Sequence, residues 1–328
     1  MIFLQKLRNP NTRALIISPL TSLTNQHFNT IKQYGFNVLA RFRGKEVRAS
    51  YPENNSAALI LSPESLFPSN NQCCLLVKQF RPNFVVIDEC HCIYEWGHGF
   101  RDEFLKIPNW INLMNFDNSL FMSATIRPTH LSRLKSELTN KPCVINEFGL
   151  PKQIKLLPLH ISEQSRTEFI LDWLKKRHRG GVLFFNSRKD AHKFYILAKN
   201  IFPTRVILYT GALYTEERDL AEYKIHHSSN SILIATSAFG LGIHCSQLKW
   251  AVVFQVPPSV SALAQYAGRV GRGSEDCEVL LFWDYSDFRK ISYYHKNENQ
   301  KLTEISALLK VYQSGSSISK AIHDYYSD

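Results

Sequence analysis

The sequence predicts an α/β protein: two parallel-sheet domains in tandem, followed by a short helical tail. Short apolar, β-branched runs alternate with amphipathic stretches, the pattern of strands joined by crossover helices. The alternation restarts after Gly149-Leu150-Pro151. At about 150 residues per domain, a length of 328 residues accommodates two domains. A hydrophobic fraction of 44% is enough for two cores, and 20% charged residues is too few for a disordered chain. The expected division is residues 1–148, 149–290 and a tail over 291–328.

Taken in order, Arg13–Ser18, Asn37–Phe42, Ala57–Ser62, Phe84–Glu89, Ser119–Ser123 and Cys143–Asn146 read as strands of the first domain. Leu20–Tyr34 and Pro128–Asn140 carry helical periodicity between them. In the second domain Gly181–Asn186, Arg205–Tyr209, Ser231–Thr236, Trp250–Gln255 and Glu278–Trp283 read as strands. Gln164–His178, Arg188–Asn200 and Thr215–His226 read as its helices, and the tail beyond Asp284 is helical without a recognisable motif. In such folds ligands gather at the carboxyl ends of the strands, so chemistry is sought there.

Lys and Arg number 39 against 28 Asp and Glu, a net charge of +11. Eight basic residues and only Glu46 lie within the first 50 positions. Either a polyanionic partner or simply a soluble positive surface accounts for that balance. The apolar start is too short for a signal peptide, and no run approaches the roughly 20 apolar residues of a membrane span. Seven cysteines, an odd number in a chain too long to need staples, predict reduced thiols in the cytoplasm. Cys90 and Cys92 flank His91, but a one-residue spacing without a second cysteine pair suits tetrahedral zinc poorly.

Two segments carry chemistry. Val85-Val86-Ile87-Asp88-Glu89-Cys90-His91 is a buried-type strand ending in adjacent carboxylates. There an Asp can hold Mg²⁺ through water while the neighbouring Glu polarises an attacking water; a pair of solvated turn acids is the plainer alternative. Gln265-Tyr266-Ala267-Gly268-Arg269-Val270-Gly271-Arg272 places two arginines on a permissive backbone, as arginine fingers require, although a basic loop with glycine turns has the same composition.

Beyond those two segments, Ile17-Ser18-Pro19-Leu20-Thr21-Ser22-Leu23 with Gln26 resembles motif Ia of the RecQ family of superfamily 2 DNA helicases, and Leu61-Ser62-Pro63-Glu64 resembles its motif Ib. Asp88-Glu89-Cys90-His91 resembles the DEAH box with Cys90 in the alanine position, and Ser123-Ala124-Thr125 resembles motif III. Phe185-Asn186-Ser187-Arg188 is similar to motif IV, Ala235-Thr236 through Gly240 to Ile243 to motif V, and Gln265 through Arg272 to motif VI. Seven weak signals in the right order are together a strong one. Cys92 through Phe104, with Trp96, Gly97, His98, Phe100 and Arg101, resembles the aromatic-rich loop that distinguishes RecQ proteins from RNA-directed relatives. Aromatic faces stack on unpaired bases without regard to sequence, and Arg101 would add a cationic plane. The spacing of Trp96, Phe100 and Phe104 also fits the buried face of a helix.

The resemblance implies two RecA-like domains, ATP and Mg²⁺ as cofactors, and DNA as partner, single strands and their junctions with duplex ahead of RNA. By that resemblance Asp88 binds Mg²⁺, Glu89 activates water, and His91, Ser123 and Thr125 relay the nucleotide state. Gln265, Arg269 and Arg272 serve the phosphates from the second domain. Ser18, Pro19, Ser22, Gln26, Ser62, Asn186, Arg188, Thr236 and Gly240 grip the nucleic-acid backbone, while Trp96, His98, Phe100 and Arg101 meet the bases. Domain closure on ATP would then step the protein 3′→5′ along one strand.

Two departures stand out. No G-x-x-x-x-G-K-[ST] occurs; the only Gly-Lys pair is Gly44-Lys45, followed by Glu46. Ile2-Phe3-Leu4-Gln5 resembles the helix that follows this P-loop, so the first domain reads as N-terminally truncated, with an interior place in its sheet left unfilled. No cysteine follows Cys277, so the family's zinc module, and zinc itself, are not expected. These departures leave two functional readings: an ATP-dependent helicase core, or a nucleic-acid-binding module without catalysis.

Overall fold

The structure, a computed structural model, describes residues 2–42, 45–46, 56–67, 75–97, 101–116, 118–145, 149–240, 247–271 and 276–327. The chain forms two compact units, Met1–Asn146 and Glu147–Asp328.

The first unit runs α1 (Ile2–Leu7), β1 (Arg13–Ile17), α2 (Thr21–Gln33), β2 (Asn37–Phe42), β3 (Lys45–Glu46), β4 (Ala57–Leu61), α3 (Pro63–Leu66) and α4 (Leu75–Phe80). It continues with β5 (Phe84–Ile87), α5 (Cys92–Glu95), a 3₁₀ turn over Asp102–Lys106, α6 (Ile107–Met114), β6 (Asn118–Phe121) and α7 (Pro128–Glu137). Among the described residues its sheet has the order β3-β2-β4-β1-β5-β6, parallel except for the short β2–β3 pair. β4 and β5 are buried along their whole length, as strands covered on both faces must be. Leu4 and Leu7 of α1 close one face together with Ala14, Ile16, Ile60 and Val86.

One sequence expectation needs correction here. Cys143–Asn146 is not a strand as far as it is described: residues 143–145 have no regular structure and lie exposed. A β-branched run becomes a strand only where a ladder and a core receive it. Among the described residues β1 pairs on both sides and the ladder ends at β6, whose Asn118 and Ser119 are exposed.

The second unit runs β7 (Ile154–His160), α8 (Glu163–Lys175), β8 (Gly181–Phe184), α9 (Arg188–Ile201), β9 (Val206–Tyr209), α10 (Thr215–His227) and β10 (Ile232–Ala235). It continues with β11 (Trp250–Val253), α11 (Val260–Ala267), β12 (Cys277–Trp283), α12 (Tyr285–Tyr294), α13 (Asn299–Gln313) and α14 (Ile318–Ser327). Its strands are parallel in the order β7-β12-β11-β8-β10-β9. Successive residues serve opposite faces: Val182, Phe184, Leu233 and Leu281 enter one core, Leu183, Phe185, Ile234 and Phe282 the other. Gly181 lets the Trp250 indole lie against its backbone; a Cβ there would fall 2.0 Å from the ring. β7 escaped the sequence reading because Pro158 interrupts it, and proline is tolerated here because β7 is an edge strand.

The helical tail belongs to this core. Ile305, Leu308, Val311, Tyr312, Ile318, Ile322 and Tyr326 bury against the same face as α11. Arg166 of α8, 0% exposed, holds α12 in place: it donates to both carboxylate oxygens of Asp287 and to the carbonyls of Ile161 and Phe254.

Candidate functional site

The register of the first sheet aligns Ile17, Leu61, Ile87 and Phe121, so the residues that follow them share one edge. Ser18, Ser62 and Asp88 therefore come together there, with Met122 level with them and Ser123 one residue beyond, although they span more than 100 positions of sequence. This is the carboxyl edge, where a parallel sheet places its ligands.

Asp88 takes the turn out of β5. Its backbone N–H donates to the Ile17 carbonyl at 3.0 Å, and its Oδ1 accepts the Glu89 backbone N–H at 3.1 Å. Its Oδ2 lies 2.7 Å from Nε2 of His27 on α2. Glu89 has φ +48°, a left-handed conformation that costs a β-carbon about 1–2 kcal/mol. Hydrogen bonds on either side hold it: the Cys90 N–H on the Met122 carbonyl at 2.8 Å and the Cys92 N–H on the Glu89 carbonyl at 2.9 Å. Strain maintained in this way aims the Glu89 side chain rather than relaxing it.

His91 is buried and connects the turn to the next strand. Its Nδ1 lies 2.9 Å from the Ser123 Oγ and 3.3 Å from a Glu89 oxygen, and its Nε2 lies 3.6 Å from the Cys92 Sγ. Ser123 Oγ also accepts the Thr125 backbone N–H at 3.1 Å. Burial works against charge on the ring, but Cys92, Glu89 and Glu95 outweigh it and hold His91 above the ordinary imidazole range. Burial pushes the Cys90 and Cys92 thiols up, and His91 works against that rise at Cys92.

Beyond this turn, Arg101 joins three segments. Its guanidinium donates to both oxygens of Glu64, at 2.5 and 2.8 Å, and to the Pro19 carbonyl at 2.6 Å. It also lies over the rings of Trp96 and Phe104, 5.5 and 4.8 Å from their centroids. Trp96 and Phe104 meet edge to face at 6.0 Å. Gly97 is required beside them, since a Cβ there would sit 2.3 Å from the Ile93 carbonyl oxygen.

In the second unit Phe184, Ala235 and Val253 share one register level. Asn186 follows β8; its N–H donates to Gln255 Oε1 at 3.0 Å and its Nδ2 to the Val256 carbonyl at 2.7 Å. Gln255 Nε2 in turn donates to Asp190 at 3.1 Å, and Asp190 accepts Ser187, the N-cap of α9. Thr236 follows β10 and is buried, and Gly240 closes the short 3₁₀ turn after it. Gln265 lies on α11, half-buried, and Arg269 follows that helix, buried.

The DEAD/DEAH box helicase family matches residues 1–134, and the helicase conserved C-terminal domain matches residues 165–274. The chain is 26% identical over 285 residues to the ATP-dependent DNA helicase RecQ of Pasteurella multocida, covering 84% of this chain and 44% of that protein. It is 24% identical over 304 residues to the probable ATP-dependent DNA helicase RecS of Bacillus subtilis, covering 90% and 61%. The two helicase domain matches and these relatives make the chain similar to the RecQ-like superfamily 2 helicases. It spans about half the length of the curated relatives it matches. In fold it is similar to S. cerevisiae Dbp5 bound to RNA and ADP BeF3, at 14% identity and a TM-score of 0.65, covering 96% of this chain and 83% of that one. It is also similar to Mycobacterium smegmatis helicase Lhr bound to ssDNA and AMP-PNP, at 19% identity and a TM-score of 0.62, covering 94% and 47%. Both units are thus RecA-like.

Against that family, the structure groups the sequence-selected residues unequally. Asp88, Glu89, His91, Ser123 and Thr125 form one contact chain. Ser18, Pro19 and Ser62 reach the same edge but are buried: the Pro19 carbonyl is taken by Arg101, and the Ser62 hydroxyl caps α3. Ser22 is half-buried on α2, while Gln26, Asn186 and Arg188 are exposed. Trp96 is half-buried, and the chain leaves helical conformation there, so Trp96 and Phe104 do not form one face of a continuous helix. His98, Phe100 and Arg272 lie outside the described residues.

His27 is the residue the sequence reading missed. Leu23, His27 and Ile31 are buried at i, i+4 and i+8 on α2, so a titratable ring sits in an apolar stripe. That misfit of residue type and position was the available signal. Of the carboxylates here, Asp88 fits Mg²⁺, an ion that uses one or two protein carboxylates and completes its shell with water and phosphate oxygens. Among the described residues no helix is long and apolar enough to cross a membrane.

Proposed function

We propose that the chain is the motor core of a RecQ-type DNA helicase, coupling ATP hydrolysis to 3′→5′ movement along one DNA strand and to duplex separation. The observation that carries this reading is the unbroken contact chain from Asp88 and Glu89 through His91 and Ser123 to Thr125. Such a relay lets the state of a nucleotide at Asp88 alter the segment between β6 and α7. Asp88 would hold Mg²⁺, and Glu89, fixed by its strained backbone, would orient the attacking water and take its proton. Arg269 and Arg272, with Gln265, would stabilise charge on the transferred phosphoryl group. DNA single strands and single–double junctions are the proposed substrates, supported by the names of the relatives and by the chain's net charge of +11. The protein is proposed to act in the cytoplasm.

The test is DNA-stimulated ATP hydrolysis and strand separation on a 3′-tailed duplex, with Glu89→Gln as the variant. Removing a general base of this kind lowers turnover about 10²–10⁴-fold, while single-strand binding should stay within about twofold of the parent chain. Turnover equal in parent and variant would refute the assignment. A second reading, a nucleic-acid-binding module without catalysis, would show salt-sensitive binding of single strands that ATP analogues leave unchanged.

A further inference from the structure

The surface of α12 has a composition that neither the motor chemistry nor the core explains. Tyr285, Arg289 and Tyr293 recur at i, i+4 and i+8, which places them on one stripe of the helix. Tyr285 is 50% exposed, Tyr293 69% and the adjoining Tyr294 81%. Arg289, Lys290 and Lys296 are exposed as well, and the only acid within the helix, Asp287, is buried under Arg166. Lys290 is spoken for by Glu163. Lys296 places its ammonium 5.2 Å from the Tyr293 ring centroid, and Tyr293 and Tyr294 stand edge to face at 6.3 Å.

Tyr285 meets Trp283 and His160 edge to face, 5.3 and 5.7 Å between centroids, while the opposite side of the helix supplies Phe288 and Asp287 to the core. The helix is also rigid. Arg166 grips Asp287 from beneath, and Asp284 caps the first turn by accepting the Ser286 N–H at 2.7 Å. A fixed row of tyrosines loses little conformational freedom when a flat ligand lies on it. Comparison with α10 is instructive. Tyr214, Leu220 and Tyr223 are exposed there too, but among exposed Glu216, Glu217 and Asp219, which would repel a polyanion. On α12 the charge complements one. Position agrees: β12 delivers Tyr285 to the carboxyl edge of the sheet that also carries Asn186 and Thr236, and the stripe extends about 12 Å from there.

We propose that the Tyr285–Arg289–Tyr293 stripe of α12, with Tyr294 and Lys296, is a further binding surface for single-stranded nucleic acid, its rings stacking on unpaired bases and its cations meeting phosphates. The surface needs no ATP turnover, and it rests only on the nucleic-acid-binding part of the reading above. The experiment is photo-crosslinking of the full chain to an oligodeoxynucleotide carrying 5-iodouracil, with adducts mapped by peptide mass spectrometry. Adducts on Tyr293 or Tyr294 are expected. Fluorescence anisotropy with the same strand should show the Tyr293→Ala/Tyr294→Ala chain binding at least about fivefold more weakly. Arg289→Ala with Lys296→Ala should reduce the slope of log K against log salt by about one to two. Because every substituted side chain is exposed, thermal unfolding should match the parent. Adducts confined to the first unit, with unchanged affinity in the tyrosine variant, would overturn the stripe and leave the proposed function intact. A chain that binds no strand at all would overturn both.

Discussion

Arg101 distinguishes two ways in which the aromatic-rich segment can act. Its side chain is 6% exposed and engages both oxygens of Glu64, whose side chain is 24% exposed. Removing one partner of a buried ion pair costs about 3–5 kcal/mol, because the other charge remains desolvated. Partial exposure of Glu64 screens the pair and lowers this to about 2–3 kcal/mol for Glu64→Gln. Arg101→Ala should cost a similar amount, losing in addition the Pro19 carbonyl and the packing over Trp96 and Phe104. The double variant should be little worse than either single one, a coupling of about 2–3 kcal/mol in a urea-unfolding cycle. Single-strand affinity, measured in parallel, should fall in both single variants, since each loosens the Arg101 guanidinium that ties the aromatic segment to Pro19. If Arg101→Ala weakened strand binding tenfold while leaving the unfolding curve unmoved, and Glu64→Gln did nothing, the tie would be refuted. Arg101 would then be stacking on bases, as its sequence context alone suggests.

The same pair should weaken in acid. Burial alone would raise the Glu64 carboxyl, but the hydrogen bonds and charge of Arg101 hold it below its ordinary value of 4.5. A carboxyl depressed in the folded state contributes stability above its unfolded pKa and loses it as pH falls through the folded one. The Arg101–Glu64 coupling should therefore be full at pH 7 and shrink below about pH 4.5 in the same urea cycle. In the second unit, Asp287→Ala leaves Arg166 buried without its counter-charge and removes a cap from α12; a loss of about 3–5 kcal/mol is expected, read by calorimetry, with early proteolysis after α12. A loss under 1 kcal/mol would mean the Ile161 and Phe254 carbonyls suffice for Arg166. On α2, His27→Leu should destabilise the first unit by about 1–2 kcal/mol by leaving the part-buried Asp88 carboxylate one hydrogen bond short. His27→Gln should recover part of that loss if the Nε2 donor is what matters.

How far these features could be read in advance depended on the range over which each is determined. The strands β1, β4, β5, β8, β10 and β11 were legible because each is an apolar run covered on both faces, a property of four or five consecutive residues. Where the sequence misled, a distant partner decided. Pro158 interrupts a run that becomes β7 only because β12 offers a ladder to an edge strand, and residues 143–145 find no ladder at all. The Asp88–Glu89 turn was visible as carboxylates ending a buried strand, but neither the φ of +48° at Glu89 nor the His27 ring on Asp88 could be seen there. Arg101 shows the limit most clearly: sequence context makes it a base-stacking cation, and the fold buries it between Glu64 and Pro19, 37 and 82 positions away.

The sequence by itself determined the alternation of strand and helix, the restart after Pro151, and the order of the motifs, since these rest on local periodicity and on residue types at short spacing. Tertiary structure alone decided which motif residues meet, because parallel register brings Ser18, Ser62, Asp88 and Ser123 to one edge across long crossovers. It also decided that the tail is core and that α12 turns its tyrosines outward. A helix acquires an inside only when something such as Arg166 of α8 takes hold of its other face.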